Sequence, residues 1–214
     1  MKEKNILVFG DSVIHGYWDT KGGWVQRLRS FIDKKNLTDP DFYCSIYNLG
    51  IPGNITTDVL KRFESETEER FDKNEEMIFI FGIGGNDAQF IHSKNDMRTS
   101  PEELRNNIKK LIELAKNYSS KIIFVGVAQV DESKTNPIPW ATDKYYKNKN
   151  LEKYNEIIKY VCEENKVHFV NVIDNFKKPN YKDLLDSDGL HPNSEGHKLI
   201  FTIIKDFLIK TKLI

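Results

Sequence analysis

The chain has 214 residues, 39% of them hydrophobic, and its 32 basic side chains balance 32 acidic ones. That length fits a single domain, residues 1–214, with a core buried on two faces. The zero formal charge argues against the basic face that nucleic-acid binding needs, and no apolar run reaches the length of a membrane span.

Met1-Lys-Glu-Lys-Asn5 leads into only four apolar residues, Ile6–Phe9, shorter than the apolar stretch of a secretory leader. The expected location is the cytoplasm. Ile6–Phe9 also predicts the first strand. Trp24, Leu28, Phe31 and Ile32 recur at helical spacing and predict a first helix. Phe42–Tyr47 is the second strand, Val59, Leu60 and Phe63 mark a second helix, and Met77–Phe81 is the third strand. Ser100-Pro-Glu-Glu103 has the form of a capping box with proline at the first helical position. Leu104, Ile108, Leu111, Ile112 and Ala115 then form one apolar stripe.

Ile122–Val127 is the fourth strand. Val130–Asn150 looks irregular, and a loop of that length inside a compact domain is usually functional or disordered. Its Trp140, Tyr145 and Tyr146 favour a pocket wall, and Trp140 is the expected substrate-binding residue. Leu151, Tyr154, Ile158 and Val161 mark the next helix, and Val167–Val170 the fifth strand. Leu199, Ile200, Ile203, Ile204, Phe207 and Leu208 mark the last helix, with Asn193 or Ser194 as its cap.

Nearly continuous apolar strands are those buried on both faces of a parallel sheet. Five strands alternating with helices imply a three-layer, doubly wound α/β/α sandwich. The expected order is 2-1-3-4-5, which makes strands 1 and 3 neighbours at the switch point where ligands bind.

The chemistry-bearing residues follow those strands. Gly10-Asp11-Ser12 ends the first, and Asp188-Gly-Leu-His191-Pro192 lies near the other end of the chain. Serine is a weak nucleophile alone and needs a base, which in turn needs a group that fixes its tautomer. Ser12, His191 and Asp188 supply those three roles. Asn48-Leu-Gly50 and Gly84-Gly85-Asn86-Asp87 follow the second and third strands. Gly50 either adopts a positive φ or lets its backbone N–H approach a substrate, and an Asn86 amide in a cleft can meet an oxyanion. Asp11 and Asp87 are expected to be structural and Asp186 solvated; His197 is expected packed or exposed rather than catalytic, and His15, one turn from Ser12, lines the rim or is solvated, with a competing base as the alternative. Tyr17 and Trp18 are cleft walls or core aromatics. Cys44 and Cys162 are expected buried and reduced, with no Cys/His cluster for zinc.

Together, Gly10-Asp11-Ser12, Gly50, Gly85-Asn86-Asp87 and Asp188-Gly-Leu-His191-Pro192 resemble, in order and context, the four sequence blocks of the GDSL/SGNH hydrolase superfamily. The resemblance spans essentially the whole chain, with Val13 standing where the family usually has leucine. Asn48–Thr57 and Gln129-Val-Asp-Glu132 are similar to the intracellular esterase branch. The resemblance implies a flavodoxin-like fold, Ser12 as nucleophile, His191 as base and Asp188 as its orienting carboxylate. It also implies an oxyanion hole from the Ser12 and Gly50 N–H groups and the Asn86 side chain. No metal or other cofactor is expected. The implied substrate is a small ester, with short-chain or acetyl esters favoured; a homo-oligomer is left open by the sequence. An acyltransferase or thioesterase would use the same site, and an inactive acyl- or sugar-binding homologue is the non-enzymatic alternative. A metallophosphoesterase is disfavoured because its metal cage needs clustered ligands, whereas the five histidines here are scattered.

Overall fold

A computed structural model describes residues 3–214. In chain order the elements are β1 (Lys4–Gly10), α1 (Ser12–His15), α2 (Gly23–Thr38), β2 (Cys44–Gly50), α3 (Thr56–Glu68) and β3 (Glu76–Gly82). There follow β4 (Phe90–Ile91), β5 (Asp96–Met97), α4 (Pro101–Lys116), β6 (Ile122–Val125) and α5 (Glu132–Thr135). The last are β7 (Lys144–Tyr145), α6 (Asn148–Asn165), β8 (His168–Val170) and α7 (Ser194–Lys210).

Five strands form one parallel sheet in the order β2-β1-β3-β6-β8. Counting these five alone, that is the expected 2-1-3-4-5. Side chains alternate between the faces, as the period of a strand requires. Leu7, Phe9, Phe79, Phe81 and Phe124 pack against residues of α3, α4 and α6, such as Phe63, Ile108 and Ile158. Ile6, Val8, Ile78, Ile80 and Ile123 pack against residues of α2 and α7, such as Trp24, Leu28 and Ile204. Each fully buried side chain of this size contributes roughly 1.5–3 kcal/mol. The result is a three-layer α/β/α sandwich.

The register sets where the site lies. Gly10 pairs with Gly50 on one side and Gly82 on the other. The carboxyl ends of β1, β2 and β3 are therefore level, and the segments that leave them emerge at one edge.

Element ends depart from the sequence-based expectation in places with local causes. β2 begins at Cys44 rather than Phe42 and runs on to Gly50. It is an edge strand with Tyr47 and Asn48 exposed, so its apolar pattern fades while the pairing with β1 continues. β6 stops at Val125 because the buried Asn155 side chain takes the Val127 N–H at 3.1 Å. β8 starts at His168 because the Val167 N–H still bonds to Cys162 of α6.

Only half of the capping box forms: Ser100 Oγ accepts from Glu103 N at 3.1 Å, while Glu103 Oε1 accepts from Thr57 at 3.2 Å. Asn193 is the cap of α7, accepting from the N–H groups of Glu195 and Gly196.

The 130–150 stretch is more ordered than its sequence suggests. It contains α5 and β7, and β7 joins β4 and β5 in a small antiparallel sheet, order β5-β4-β7. These strands have two residues each, too short for alternation to register in sequence. Cys44 and Cys162 are buried and free, and burial pushes each thiol up to about 12. Among the described residues no helix is long and apolar enough to cross a membrane.

Candidate active site

β1 delivers the chain to the site through a tight turn into α1. Asp11 caps that helix, its Oδ1 accepting from Val13 N at 2.9 Å, and Ser12 is the first helical residue. The Ser12 amide therefore belongs to the first turn, whose N–H groups have no intrahelical acceptor.

Ser12 Oγ lies 2.9 Å from His191 Nε2, and His191 Nδ1 lies 2.6 Å from Asp188 Oδ2. Ser12 and His191 are 179 positions apart in sequence. The carboxylate accepts a hydrogen bond from Nδ1–H, which leaves Nε2 as the acceptor facing the serine hydroxyl. Asp188 Oδ1 also accepts from the N–H groups of Leu190 (2.8 Å) and His191 (2.9 Å). Burial on its own would raise the Asp188 carboxyl. The hydrogen bonds from His191 and Leu190 outweigh it and hold the group well below the usual carboxylate range.

The hairpin carrying these residues is braced by Asp186 N donating to His191 O at 2.8 Å and by Asp131 N donating to Gly189 O at 2.7 Å. The Asp186 carboxylate turns to the Ser187 N–H and hydroxyl, away from the imidazole.

Sequence reasoning left the place of Trp18 undecided. Its Nε1–H donates to Asp188 Oδ2 at 2.9 Å, so that oxygen takes two donors. The indole stacks on Tyr17 with ring centroids 4.3 Å apart, and both rings meet His191 edge-on. The Tyr17 carbonyl is held in turn by His197 Nε2–H at 2.7 Å, while His197 Nδ1 accepts from Trp24 N. Burial pushes the His197 imidazole down, favouring this neutral, structural form. His15 touches Gly50 O at 3.4 Å and the Tyr17 ring, and forms no bond to Ser12 Oγ.

Asn86 projects into the same space from the loop after β3. Its Nδ2 donates to Asn54 O at 3.0 Å and lies 3.5 Å from Asp11 Oδ2. Gly50 does not take a positive φ. Close approach is what demands glycine there, since a Cβ would lie 2.3 Å from His15 N and 2.9 Å from Asp11 O. Its N–H donates to Asn48 Oδ1 at 3.0 Å. Arg62, which the sequence did not flag, ties these loops together. It donates to the carbonyls of Gly10 (3.2 Å) and Leu49 (2.8 Å) and to Asn54 Oδ1 (3.1 Å). Asp87 is structural, its buried carboxylate accepting from Thr56 N and Oγ1 at the start of α3.

Burial pushes the Asp11 carboxyl up to about 6, against the lowering effect of the Val13 N–H and of nearby His191. The folded state thus holds a proton that the unfolded chain, titrating near 3.8, has lost. Stability attributable to this group falls as pH rises from about 4 to about 6. Asparagine keeps a capping oxygen without the charge. Asp11→Asn is therefore expected to raise the unfolding midpoint more at pH 7 than at pH 4, measured by thermal denaturation at both. An equal shift at the two values would contradict this.

An apolar cavity of ≈ 70 Å³ opens beside Ser12 and His191, walled by Val127, Ala128, Val130 and Leu190. On the outer side a cleft of ≈ 190 Å³ runs past Tyr17, Ile138, Trp140 and Tyr146 to Ser12, Asn86 and His191. Trp140 is exposed and also faces Trp18 across an open groove. Ser12, Asn86 and His191 line both spaces and Trp140 lines the outer one, while Asp188 lines the groove between Trp18 and Trp140 and Gly50 lines none of the three. Among the described residues, no three His, Cys, Asp or Glu side chains gather where they could hold a metal ion.

Similar proteins can be set beside this geometry. The GDSL-like lipase/acylhydrolase family matches residues 8–199. A lipase/acylhydrolase from Enterococcus faecalis is 21% identical with a TM-score of 0.74, over 96% of this chain and 95% of that one. A variant of an acetyl xylan esterase from Geobacillus stearothermophilus is 19% identical with a TM-score of 0.71, over 96% of each chain. A GDSL-like lipase from Bacteroides thetaiotaomicron is 24% identical with a TM-score of 0.67, over 98% of this chain and 90% of that one. No curated protein matches the sequence. These likenesses bear on the fold, and the match across residues 8–199 decides the family: the chain belongs to the GDSL-like lipase/acylhydrolase family, whose chemistry is carboxylic ester hydrolysis.

Proposed function

We propose that the protein hydrolyses short-chain carboxylic esters through an acyl-enzyme formed on Ser12. The observation that carries this reading is the unbroken chain Ser12 Oγ–His191 Nε2 (2.9 Å) and His191 Nδ1–Asp188 Oδ2 (2.6 Å). Ser12 Oγ attacks the ester carbonyl as its proton passes to His191 Nε2. The carbonyl oxygen becomes an oxyanion received by the Ser12 N–H and the Asn86 amide. The Gly50 N–H joins them if the oxyanion displaces Asn48 Oδ1, its partner here. Collapse expels the alcohol, which takes the proton from His191. Water then enters, gives a proton to His191 and releases the acid, returning Ser12 to its hydroxyl form.

The small inner cavity of ≈ 70 Å³ beside Ser12 supports a short acyl group. The wider outer cleft supports an alcohol portion that contacts Trp140. The reading is tested with a fluorophosphonate probe and p-nitrophenyl esters of two to eight carbons. One probe per chain on Ser12, with parallel loss of acetate-ester hydrolysis, is expected. Full activity in the labelled protein would reject the nucleophile and with it the mechanism.

Trp140→Ala separates the two ends of the substrate. It is expected to change the kcat/KM ratio between small and bulky substrates by roughly tenfold, the effect of losing a contact of one to two kcal/mol. Turnover of p-nitrophenyl acetate should persist, since the Ser12–His191 and His191–Asp188 contacts do not involve Trp140. An unchanged selectivity profile would make the indole a surface side chain with no part in recognition.

A further inference from the structure

One chain of hydrogen bonds behind Asn86 has a fixed direction. Arg98 Nη1 donates to Gln89 Oε1 at 3.0 Å, Gln89 Nε2 donates to the Tyr146 hydroxyl at 2.5 Å, and that hydroxyl donates to Asn86 Oδ1 at 2.5 Å. Gln89, Tyr146 and Asn86 are all buried. Arg98 is braced by a second bond, Nη2 to Gly53 O at 3.1 Å.

The direction follows from the donor inventory. A guanidinium has donors and no acceptor, so the Gln89 amide must turn its oxygen to Arg98 and its NH2 to Tyr146. The phenol oxygen then accepts a hydrogen bond from Gln89, and its own O–H is free to donate only to Asn86. A carboxamide offered a donor presents its oxygen to it. The Asn86 NH2 is thereby turned to the opposite side, toward Asn54 O, Asp11 and the space beside Ser12.

We infer that Tyr146 and Gln89 are positioning residues that set which end of the Asn86 amide faces the reacting carbonyl, with Arg98 anchoring the polarity of the relay. The inference rests on the proposed oxyanion role of Asn86. With its oxygen turned to an oxyanion the Asn86 side chain would repel that charge, because two negative ends would meet, whereas its NH2 stabilises it. Orientation of this amide is therefore a requirement of the role: Asn54 O at 3.0 Å and Asp11 Oδ2 at the longer 3.5 Å face its NH2, and the Tyr146 hydroxyl fixes its oxygen from the other end. Burial also keeps the phenol protonated, raising its ionisation well above the ordinary tyrosine value. A phenolate could not donate, so this protonation keeps the relay intact across the working range of the enzyme.

The test uses the full chain and p-nitrophenyl acetate. Asn86→Ala is expected to lower kcat roughly a hundred- to a thousandfold with KM little moved, because the amide meets charge present mainly in the transition state. Tyr146→Phe is expected to lower kcat by roughly ten- to a hundredfold, the scale of a misplaced catalytic group, again with KM little moved. In the Asn86→Ala background the same Tyr146→Phe change should cost less than about twofold, since residues acting through one another are not additive. Circular dichroism and thermal midpoints confirm that each variant is folded.

Gln89 supplies a second, independent arm. Gln89→Glu keeps the size and pairs well with Arg98, but it presents only acceptors to Tyr146 and draws the phenol proton away from Asn86. Gln89→Leu removes the amide and leaves Tyr146 free to donate to Asn86. The relay requires Gln89→Glu to be the slower enzyme, whereas a merely structural role makes the variant that loses the Arg98 contact, Gln89→Leu, the worse one. Equal or greater loss in Gln89→Leu overturns the inference, as does a full Tyr146→Phe effect in the Asn86→Ala background. If Asn86→Ala itself leaves kcat unchanged, the oxyanion reading fails instead, which separates the two outcomes.

Discussion

Ser12→Ala is expected to lose ester hydrolysis by a factor on the order of a million in kcat, the scale seen when a serine hydrolase loses its nucleophile. The argument lies in what remains. Without Oγ, His191 has no proton to take and the carbonyl has no attacking atom, so only binding and the oxyanion donors still act. The fold should be unaffected: Ser12 sits in the first turn of a four-residue helix whose cap is the Asp11 carboxylate, and among the described residues Oγ bonds only to His191. Thermal midpoints within about 4 °C of the wild type are therefore expected, since one lost hydrogen bond contributes about 1 kcal/mol net. Measuring steady-state hydrolysis beside thermal melting checks both halves. Activity above a trace in a folded Ser12→Ala protein would mean that another group attacks the ester.

Much of this site was legible because its residues follow strands whose apolar runs are unambiguous. β1 and β3 are buried on both faces and read as continuous apolar runs, Ile6–Phe9 and Met77–Phe81. Once these are neighbours, Ser12 and Asn86 must meet at one sheet edge. Asp188 and His191 were legible for a local reason, since three-residue spacing in a glycine-containing turn lets both side chains meet. What escaped the sequence depends on long-range packing. Trp18 reaches Asp188 across 170 positions, and Arg62 reaches the carbonyl of Gly10 across 52. Tyr146 was visible only as an aromatic residue in a loop, because nothing in its neighbours reveals that its hydroxyl would point at Asn86, 60 positions away. The small β5-β4-β7 sheet that sets Tyr146 in place is built from strands too short to show a period. Gly50 shows the limit from the other side: the residue was read correctly as special, but the reason is crowding by His15 and Asp11 and not a positive φ.

Asp188→Asn is expected to lower kcat by roughly ten thousandfold, the cost of presenting the wrong histidine tautomer to the nucleophile in a Ser-His-Asp enzyme. Asp188 uses both oxygens as acceptors, Oδ1 for two backbone N–H groups and Oδ2 for His191 Nδ1 and Trp18 Nε1. An asparagine there must direct its NH2 at one of those pairs of donors. If it faces the imidazole, Nδ1 must become the acceptor, the proton moves to Nε2, and Nε2 can no longer take the serine proton. If it faces the backbone pair, two N–H groups lose their acceptor and the turn that carries His191 loosens. The first orientation removes the base and the second displaces it, while the volume is kept in both.

The pH profile separates this from a simple loss of stability. In the wild type, kcat/KM should rise with pH as the imidazole loses its proton, since only neutral His191 accepts from Ser12. Asp188, held below the usual carboxylate range, stays ionised throughout that rise and adds no limb of its own. Its contribution to folding is present above the unfolded carboxyl value and is lost only as pH falls through the depressed one. Asp188→Asn should therefore deform the rising limb as well as lower it, and should weaken folding at neutral pH more than in strong acid. Asp186→Asn, two positions away, alters a carboxylate that turns to Ser187 and not to the imidazole, so its limb should coincide with that of the wild type. A crippled Asp186→Asn beside an active Asp188→Asn would show that the 2.6 Å contact between Asp188 and His191 is not the one that matters in turnover.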